Sequence, residues 1–578
     1  MTLSRTHTWQ AFAVFAVVCA VFGRALGFGF VLWDDPQYIR DNPLVNPLIA
    51  WPPDGLLTPE LGYPIPVTMA LYRLNALLFG LTPVAFHGLN VLLHGVNATL
   101  LFLLLQRTAS ASVAWLGTAL WALHPLVVEP VTWCTGTKDL LYAAGFLLTL
   151  HGAVGRDRVP PWLLLVGLAA MLAKPTAIVL PACLLWTVLA LDGKAGLRRP
   201  GLGLAALLLS GLAVCVFGAG LFLAGHTSPD GYTTVDATPA GVQERLAAVL
   251  QALDLQVRHV VWPRHLLPQY FRLTDLRPSD PPFWRGLLAL AGVAMLAAWV
   301  MRSTDRRLRW WLGLAAITYA PVSMLLPINR FTCDSYLYVP LACLAGLMAT
   351  ALEPHLAKRP VRELAIALSG GLLALTLVQQ PLWRDSLTLW GTNLAADPHR
   401  SLLIKRYAET LNDLQRREEG YLFLRAHLVD LQRDRAVDSM VLAVFGDRAP
   451  VDEARALYLW AYAQEPNLRP AAHRNFCTFV VKQNLQLLPA ERQNLARALD
   501  ALRRDHGRRG EVPALLALGS LAVQQRLWPE AGGLFEHAFL LDHNRQHAEA
   551  ALLAYQNAQL PDAVTRMQAT LASMPAVR

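Results

Sequence analysis

Two adjacent carboxylates stand at the start of the first polar segment. Asp34 and Asp35 follow an apolar run that ends near Phe30. A carboxylate in this position can act as a general base that takes the proton from an acceptor hydroxyl. Its neighbour raises its proton affinity by like-charge repulsion, which keeps the base useful near neutral pH. The structural alternative is a solvated pair of charges at the end of a helix.

Three cations occupy similar boundary positions. Lys138, Lys174 and Arg330 each lie where an apolar run meets a polar segment. Such groups can bind a leaving phosphate, and arginine can do so with two parallel hydrogen bonds. The structural alternative is that long basic side chains reach from the membrane to its interface. Glu129, at the end of another apolar run, is a second acidic candidate or a structural partner for Lys138.

The sequence gives no support for a metal site or a nucleotide site. Its membrane part contains no P-loop, dinucleotide fingerprint, HExxH motif or separate DxD pair, and the seven cysteines show no CxxC or CxxH spacing. We therefore predict no metal and no cofactor, although a divalent cation stays open. Cys134 and Cys333 are predicted to face an oxidising compartment, where they are either free or joined in a disulfide.

Membrane helices must position these residues. Charged residues make up 16 % of the 578 residues, against about 25 % in a soluble domain, and the mean hydropathy is +0.35. Apolar runs that can cross a bilayer core of ~30 Å recur up to about Gln380. The eleven predicted spans are about residues 9–30, 84–105, 111–129, 138–154, 160–173, 175–191, 202–224, 284–301, 309–327, 334–352 and 362–380. The two that meet at Lys174-Pro175 either cross the membrane or form a re-entrant pair.

The basic residues predict the orientation of these spans. Most of them form clusters between apolar runs, as expected of cytoplasmic loops. The clusters are Arg156/Arg158, Lys194/Arg198/Arg199, Arg302/Arg306/Arg307/Arg309 and Lys358/Arg359/Arg362. With a cytoplasmic N-terminus, every cluster is cytoplasmic, whereas the candidate site residues face the other side together with a long polar segment, 225–283, that covers them. The net charge of +9 therefore reflects orientation and does not indicate nucleic-acid binding.

The sequence after Pro381 is amphipathic and has a period. A small residue, an aromatic residue, another small residue and proline follow one another with spacings of 4, 3 and 5 residues. This pattern occurs in Ser386-Trp390-Asn393-Pro398, in Ala454-Tyr458-Ala461-Pro466 and, without the proline, in Ala531-Phe535-Ala538-His543. The first two copies are separated by twice the ~34-residue period of the tetratricopeptide repeat. Such repeats bind protein partners on a concave face, and the alternative is an ordinary helical bundle.

Several segments in order resemble one known family. They are Trp33-Asp34-Asp35-Pro36-Gln37-Tyr38-Ile39 with Asn42-Pro43, Tyr72-Arg73-Leu74-Asn75, Phe86-His87-Gly88-Leu89-Asn90, His124-Pro125-Leu126-Val127-Val128-Glu129-Pro130, Gly136-Thr137-Lys138-Asp139, Ala173-Lys174-Pro175, and Arg330 followed by Asp334-Ser335-Tyr336-Leu337-Tyr338. The set is similar to the transmembrane and tetratricopeptide-repeat O-mannosyltransferases and their bacterial relatives. These are glycosyltransferases of the C superfamily (GT-C).

The resemblance implies a sugar donor linked to polyprenyl phosphate, an extracytoplasmic active site and transfer to a hydroxyl group, usually with inversion. By position, Asp34 and Asp35 match the catalytic acidic pair of the family. Arg330 and Tyr336 match a segment near the donor, and Lys174 matches a basic position. Glu129 and Asp139 are then supporting residues, and Lys138 joins Arg330 and Lys174 as a candidate for binding the donor phosphate.

The sequence therefore predicts an all-α protein with two domains. Residues 1–380 form a GT-C-like transmembrane catalytic domain, and residues 381–578 form an extracytoplasmic, tetratricopeptide-like α-solenoid. We expect a multi-pass glycosyltransferase of the bacterial inner membrane with a cytoplasmic N-terminus and a periplasmic second domain. Its partners are membrane lipid, the lipid-linked sugar and a protein or glycan acceptor. The alternatives are a transporter or flippase for a lipid-linked sugar, and a non-catalytic envelope assembly factor.

Overall fold

Helices make up all of the regular secondary structure that is described, which confirms the all-α prediction. The computed structural model describes residues 5–49, 51, 55–57, 64–227, 241–273, 276–325, 330–464, 470–483 and 512–574. The chain divides into two compact units, Met1–Asn393 and Leu394–Arg578. The boundary between the units lies beyond the composition break at Pro381.

The first unit consists of apolar helices joined by short turns. The helices are α1 Arg5–Phe22, α2 Pro66–Phe79, α3 Pro83–Thr108, α4 Ala111–Ala122, α5 Val128–Thr132, α6 Thr137–Ala153, α7 Trp162–Ala173, α8 Leu180–Gly196, α9 Leu202–Thr227, α10 Val242–Val261, α11 Pro281–Arg302, α12 Arg306–Tyr319, α13 Tyr338–Leu352, α14 Arg359–Gln379 and α15 Ser386–Ala396. Short 3₁₀ turns precede α5, α6, α8 and α13, at Pro125–Val127, Cys134–Gly136, Pro175–Val179 and Asp334–Leu337.

Six helical segments among the described residues are long and apolar enough to cross a membrane. They are His7–Gly27, Pro83–Thr108, Pro175–Gly196, Pro281–Arg302, Asp334–His355 and Arg359–Trp383, and a bent pair, Ala111–Ala122 with Pro125–Thr132, makes a seventh if it is one span. The chain is therefore a multi-pass membrane protein by these helices. The other four predicted spans coincide with α6, α7, α9 and α12, of which α6, α7 and α12 have 17 residues or fewer, and the count of eleven stays a prediction.

Prolines interrupt the helices directly after His124 and directly after Lys174. The chain bends by 58° between Ala111–Ala122 and Pro125–Thr132, and α7 ends directly before Lys174. His124 and Lys174 each precede a proline, and both have an extended backbone (ψ 137° and 128°). Proline disfavours a helical conformation in the residue before it. Lys174 therefore leaves the helix at the position where its side chain meets the site.

Basic side chains hold the other end of the helix bundle together. Arg199 donates to the carbonyl of Ala153 at 2.8 Å, and Arg307 donates to that of Thr108 at 3.2 Å. Arg306 donates to the carbonyl of Leu191 at 3.4 Å. The C-terminal ends of α3, α6 and α8 thus meet arginines, where a positive charge also suits the helix dipole. Because α6 is about 25 Å long, the arginines at its C-terminal end are far from the candidate residues at its N-terminal end.

The second unit is a stack of short helices. They are α16 Ser401–Asp413, α17 Arg417–Ala426, α18 Leu428–Arg433, α19 Ser439–Arg448, α20 Val451–Gln464, α21 Pro470–Lys482, α22 Val512–Gln524, α23 Trp528–Asp542, α24 Arg545–Asn557 and α25 Pro561–Ser573. The main contacts of each described helix are with helices that are near it in sequence.

The periodic small and aromatic residues face the core of this stack. Ala454, Tyr458 and Ala461 are all buried on α20. On α23, Gly532 lies so close to Tyr555 that a Cβ atom would come within 2.4 Å of the ring. Small residues thus allow neighbouring helices to approach each other. The tetratricopeptide interpretation accounts for this pattern and stays a prediction, and Pro466 lies outside the described residues.

The separation of charge along the bundle makes the orientation testable. We predict that the arginine-rich end is cytoplasmic, because basic loops are retained there. An alkaline phosphatase fused after Arg578 is then active, and a fluorescent protein at the same position is dark in a bacterial host. Fusions after Arg199, in a basic loop, serve as the control and give the reverse pattern. Phosphatase activity only at the Arg199 fusion would contradict the predicted orientation.

Candidate active site

The acidic pair lies in a loop that closes on itself. Asp35 accepts a hydrogen bond from the backbone N–H of Val31 at 2.8 Å. Asn42 donates to the carbonyl of Gln37 at 2.6 Å and accepts from the N–H of Leu44 at 2.8 Å. Residues 36–40 between them form one turn of π-helix. These hydrogen bonds give Asn42, seven residues after Asp35, a structural role in the loop.

Lys138 is the cation nearest to this loop. Its Nζ atom lies 3.8 Å from Oδ2 of Asp34, 4.4 Å from the centroid of the Tyr38 ring and 5.3 Å from that of Trp133. The tight Cys134–Gly136 turn brings it there. A Cβ atom on Gly136 would lie 2.2 Å from the carbonyl oxygen of Pro130, so only glycine fits.

Polar residues of α3 hold the same turn from inside the bundle. Asn90 donates to the carbonyl of Trp133 at 2.7 Å and accepts from the hydroxyl of Thr137 at 2.5 Å. His94 contacts the hydroxyl of Tyr338 at 2.6 Å. These contacts make Asn90 and His94 packing residues of the bundle interior. Asn90 thus fixes the start of α6, a role that its place in a sequence motif does not indicate.

Arg330 is paired with Glu129. Its Nη1 atom donates to Oε1 of Glu129 at 3.0 Å, and its guanidinium carbon lies 4.4 Å from the centroid of the Trp33 ring. The same carboxylate accepts from the N–H of Asp334 at 3.0 Å and the hydroxyl of Ser335 at 3.2 Å. Glu129 is therefore the partner of Arg330, and the suggested pairing of Glu129 with Lys138 is wrong, because Lys138 turns to Asp34.

Lys174 forms the third ion pair of the site. Its Nζ atom contacts Oδ1 of Asp139, and both side chains are almost fully buried. The same nitrogen lies 5.9 Å from the centroid of the Tyr336 ring. Asp139 follows Lys138 directly, so the first turn of α6 carries members of two ion pairs. Six of the eight predicted residues thus form three ion pairs, and the other two, Asp35 and Tyr336, lie beside them.

Part of the polar segment 225–283 contacts the Arg330 side of the site. Arg330 donates from Nη2 to the carbonyl of Pro268, and the hydroxyl of Tyr270 donates to Asp334 at 2.9 Å. His259 lies 3.9 Å from the same carboxylate. Sequence reasoning missed Tyr270, although Asp334 stood in a quoted motif. Residues 228–240 and 274–275 of this segment lie outside the described residues, as do Pro327, Ile328 and Asn329.

Tryptophans connect the loop to the segment after α14. The Trp33 ring centroid lies 5.0 Å from that of Trp390 and 6.3 Å from that of Trp383. The backbone N–H of Leu32 donates to the hydroxyl of Ser386 at 2.8 Å, and the indole of Trp390 donates to the carbonyl of Leu32 at 3.0 Å. These contacts explain why the first unit extends past Pro381 to Asn393.

Metal-binding clusters are not found among the described residues. No three His, Cys, Asp or Glu side chains there are placed to hold one ion.

Cys134 and Cys333 are free thiols, so the disulfide alternative is wrong. Sulfur of Cys134 instead contacts His87 at 3.3 Å, and that of Cys333 contacts Ser335.

The two adjacent carboxylates differ in burial. The Asp34 side chain is 20 % exposed, whereas Asp35 is fully buried. Burial, followed by the nearby Asp34 charge, raises the pKa of the Asp35 carboxyl to about 7, although the hydrogen bond from Val31 opposes this shift. A reacting hydroxyl can therefore reach Asp34, while Asp35 supports the loop from below.

The raised pKa of Asp35 predicts a pH-dependent stability. The protonated carboxyl favours the folded state below about pH 4, and this contribution is lost as the pH rises through about 7. Asp35→Asn is neutral at every pH, so its melting temperature should fall less than that of wild type between about pH 5 and pH 8. The difference corresponds to a few kcal/mol at most, on the order of 1.4 kcal/mol per pKa unit.

Asp34→Asn is the matched control, because the Asp34 side chain is partly exposed. Because burial is the larger cause of the Asp35 shift, this variant should keep most of the wild-type slope of melting temperature against pH in detergent solution. Identical slopes for wild type and Asp35→Asn would show that Asp35 is already ionised in the folded protein.

Comparison with curated proteins finds glycosyltransferases. Human protein O-mannosyl-transferase TMTC1 is 30 % identical over a segment that covers 30 % of this chain and 23 % of TMTC1. Mouse TMTC3 is 27 % identical over 31 % of this chain and 21 % of its own length, and Drosophila melanogaster Tmtc1 is 31 % identical over 28 % and 21 %.

The chain thus spans about a fifth of the length of these relatives. No family model matches the sequence, and no solved structure matches it. These relatives belong to the family that the sequence motifs resemble. The curated homologues of this chain are therefore the TMTC protein O-mannosyl-transferases, which are glycosyltransferases.

Proposed function

We propose that the chain is a membrane glycosyltransferase that moves a sugar from a polyprenyl-phosphate donor to a hydroxyl group of a protein or glycan. The reaction takes place on the extracytoplasmic side of the bacterial inner membrane, and the second unit is periplasmic. The observation that carries the proposal is the grouping of Asp34, Lys138 and Arg330 around Trp33 and Trp133. The activity named for the curated homologues supports it.

Asp34 acts as the general base. Its partly exposed carboxylate accepts the proton of the acceptor hydroxyl, and the Lys138 ammonium lies 3.8 Å from its Oδ2 atom. The acceptor oxygen then forms a bond to the anomeric carbon of the sugar, while the bond from that carbon to the phosphate oxygen breaks. The proton ends on Asp34, and the electron pair leaves with the phosphate.

Arg330 receives the leaving phosphate. Its Nε–H is buried without a hydrogen-bond partner, whereas its Nη1 atom is held by Glu129. A free donor on a fixed guanidinium suits an anion whose charge increases during the reaction. Lys138 lies near the same Trp133 ring as Arg330, so both cations can stabilise the phosphate. Lys174 is proposed as a further donor-binding residue from the resemblance, although its nearest partner is Asp139.

The transporter alternative is less well supported. A transporter needs ionisable groups along a path through the membrane, but the three ion pairs described above are grouped at one end of the bundle. Two of them join the start of α6 to the first loop and to the α7–α8 break, and the third joins α5 to the segment before α13. We infer that ion pairs grouped at one end of the bundle suit a reaction site better than a transport path.

The role of Asp34 predicts a large kinetic effect. Asp34→Asn should lower the rate of sugar transfer about 10²- to 10⁴-fold, or roughly 3–5 kcal/mol of barrier, because the base is lost. Asp35→Asn should have a smaller effect through the orientation of the loop. Transfer is measured with purified variants that match wild type in yield and melting temperature.

Asp41→Asn is the control for this experiment. Asp41 lies in the same loop, but its side chain is 60 % exposed and pairs with Arg40, so its loss should leave the rate unchanged. Wild-type transfer by Asp34→Asn would exclude Asp34 as the base and would favour the assembly-factor alternative.

The second unit is proposed to bind the acceptor. Ending the chain after Ala396 keeps Ser386 and Trp390, which hold the first loop. This truncation should reduce transfer to the native acceptor much more than hydrolysis of the lipid-linked donor. Ending the chain after Gln380 should reduce both, since the loop loses its support. Equal losses from the two truncations would contradict a separate acceptor-binding role.

A further inference from the structure

Helix α10 buries polar side chains and exposes apolar ones. Four of its polar residues are buried: Gln251, Asp254, Gln256 and His259. By contrast, three of its apolar residues and the tryptophan that follows it are 57–76 % exposed: Val242, Leu246, Val261 and Trp262. The partly exposed Leu253 and Val257 continue the face that starts at Val242. A helix on a water-soluble domain turns its apolar face to the core, so the outer face of α10 suits an apolar environment.

Helix α10 also lies across one end of the helix bundle. Its polar groups contact the ends of four other elements, at Arg285 of α11, Tyr319 of α12, Thr332 before α13 and His124 after α4. The Asp254 carboxylate lies 3.1 Å from Nε of Arg285, and Gln256 accepts from the Tyr319 hydroxyl at 2.6 Å. The contacts extend from Leu250, which packs against Gly286, to Val260, about 15 Å along the helix. All of these partners lie at the end of the bundle that carries the candidate site, so α10 runs over the helix ends and not along the bundle.

This position and polarity match the interface of a membrane. Helix α10 has 20 residues but is not one of the six helical segments that can cross a membrane. An amphipathic helix of this kind lies in the membrane plane with its apolar face among the lipid chains. Trp262 after α10 and Trp284 at the start of α11 are 66 % and 61 % exposed, and tryptophan is enriched at the interface. Arg264 is exposed beside Trp262 and can reach lipid headgroups.

Helix α10 holds the segment that contacts the Arg330 side of the site. The Gln251 amide donates to the carbonyl of Leu273 at 3.1 Å and accepts from its backbone N–H at 2.7 Å. Within the segment, the Tyr270 hydroxyl accepts from the backbone N–H of Leu267 at 2.9 Å. The same hydroxyl donates to Asp334. A displacement of α10 would therefore move the residues that contact Arg330 and Asp334.

We propose that α10 is an interfacial helix whose apolar face inserts among the lipid chains at the site end of the bundle. This insertion positions Pro268 and Tyr270 against Arg330 and Asp334. Helix α10 is thus a positioning element and not a catalytic one. The lipid contact goes beyond the proposed function, because it holds whether or not the chain transfers a sugar.

Photocrosslinking tests the lipid contact. The photoreactive residue p-benzoylphenylalanine replaces Leu246 or Val261 in the full chain, which is reconstituted in vesicles of phosphatidylethanolamine and phosphatidylglycerol. After irradiation, mass spectrometry should find lipid adducts at both positions. Leu288, which is 72 % exposed on the candidate span Pro281–Arg302, is the positive control. Glu419 of the second unit, whose side chain is 56 % exposed, should give no lipid adduct.

Two results of this experiment overturn the inference. Adducts to another copy of the chain would show that the outer face of α10 is a protein interface. Absence of lipid adducts at positions 246 and 261, together with lipid adducts at position 288, would show that the face is in water.

Hydrogen exchange tests the positioning role. The double variant Leu246→Gln, Val261→Gln changes two exposed side chains, so the helix bundle should keep its wild-type melting temperature. In the same vesicles, amide exchange at Leu267 and Leu273 should rise at least about tenfold, because each change removes one apolar side chain from lipid and favours local opening. Leu553→Gln, at a 61 % exposed position of α24, should leave this exchange unchanged.

Wild-type exchange at Leu267 and Leu273 in the double variant would overturn the positioning role. Neither measurement involves sugar transfer. If both give the expected results while no transfer occurs, the assignment of α10 stands and the proposed reaction is wrong.

Discussion

The structure of the candidate site depends on the pairing of six charges at one end of a bundle of apolar helices. A charge removed from water is strongly unfavourable unless a partner and hydrogen bonds compensate it. The partners here come from distant parts of the chain: Lys138 with Asp34, Lys174 with Asp139, and Arg330 with Glu129. Each pair therefore fixes two elements to each other.

The first turn of α6 is the centre of this arrangement. Lys138 points to the loop after α1, and its neighbour Asp139 points to the break between α7 and α8. Asn90 and the close approach of Gly136 to Pro130 hold that turn in place. A displacement of this turn would weaken two ion pairs at once, so the packing of α3 influences the chemistry of residues that it does not touch.

Much of this site could be predicted from the sequence, but the pairing could not. The apolar runs and the motifs identified the charged residues, because ionisable residues in or next to membrane-spanning segments are rare. Glu129 was given the wrong partner, since sequence spacing places it nearer to Lys138 than to Arg330. Asp34 and Asp35 looked equivalent for a similar reason: only the fold shows that one is partly exposed and the other fully buried. The composition changes at Pro381, but Trp390 packs against a loop more than 350 residues earlier, so the first unit extends to Asn393.

The position of α15 also has an evolutionary consequence. This helix holds the first loop through Ser386 and Trp390 and then enters the second unit. A stack in which each helix contacts mainly its neighbours tolerates the gain or loss of whole helices. Changes in length after Ala396 therefore leave the contacts of Ser386 and Trp390 with the first loop in place, while an insertion between Trp383 and Trp390 would disturb that loop. Helix α15 thus separates the part of the gene that is free to diversify from the part that must keep its length.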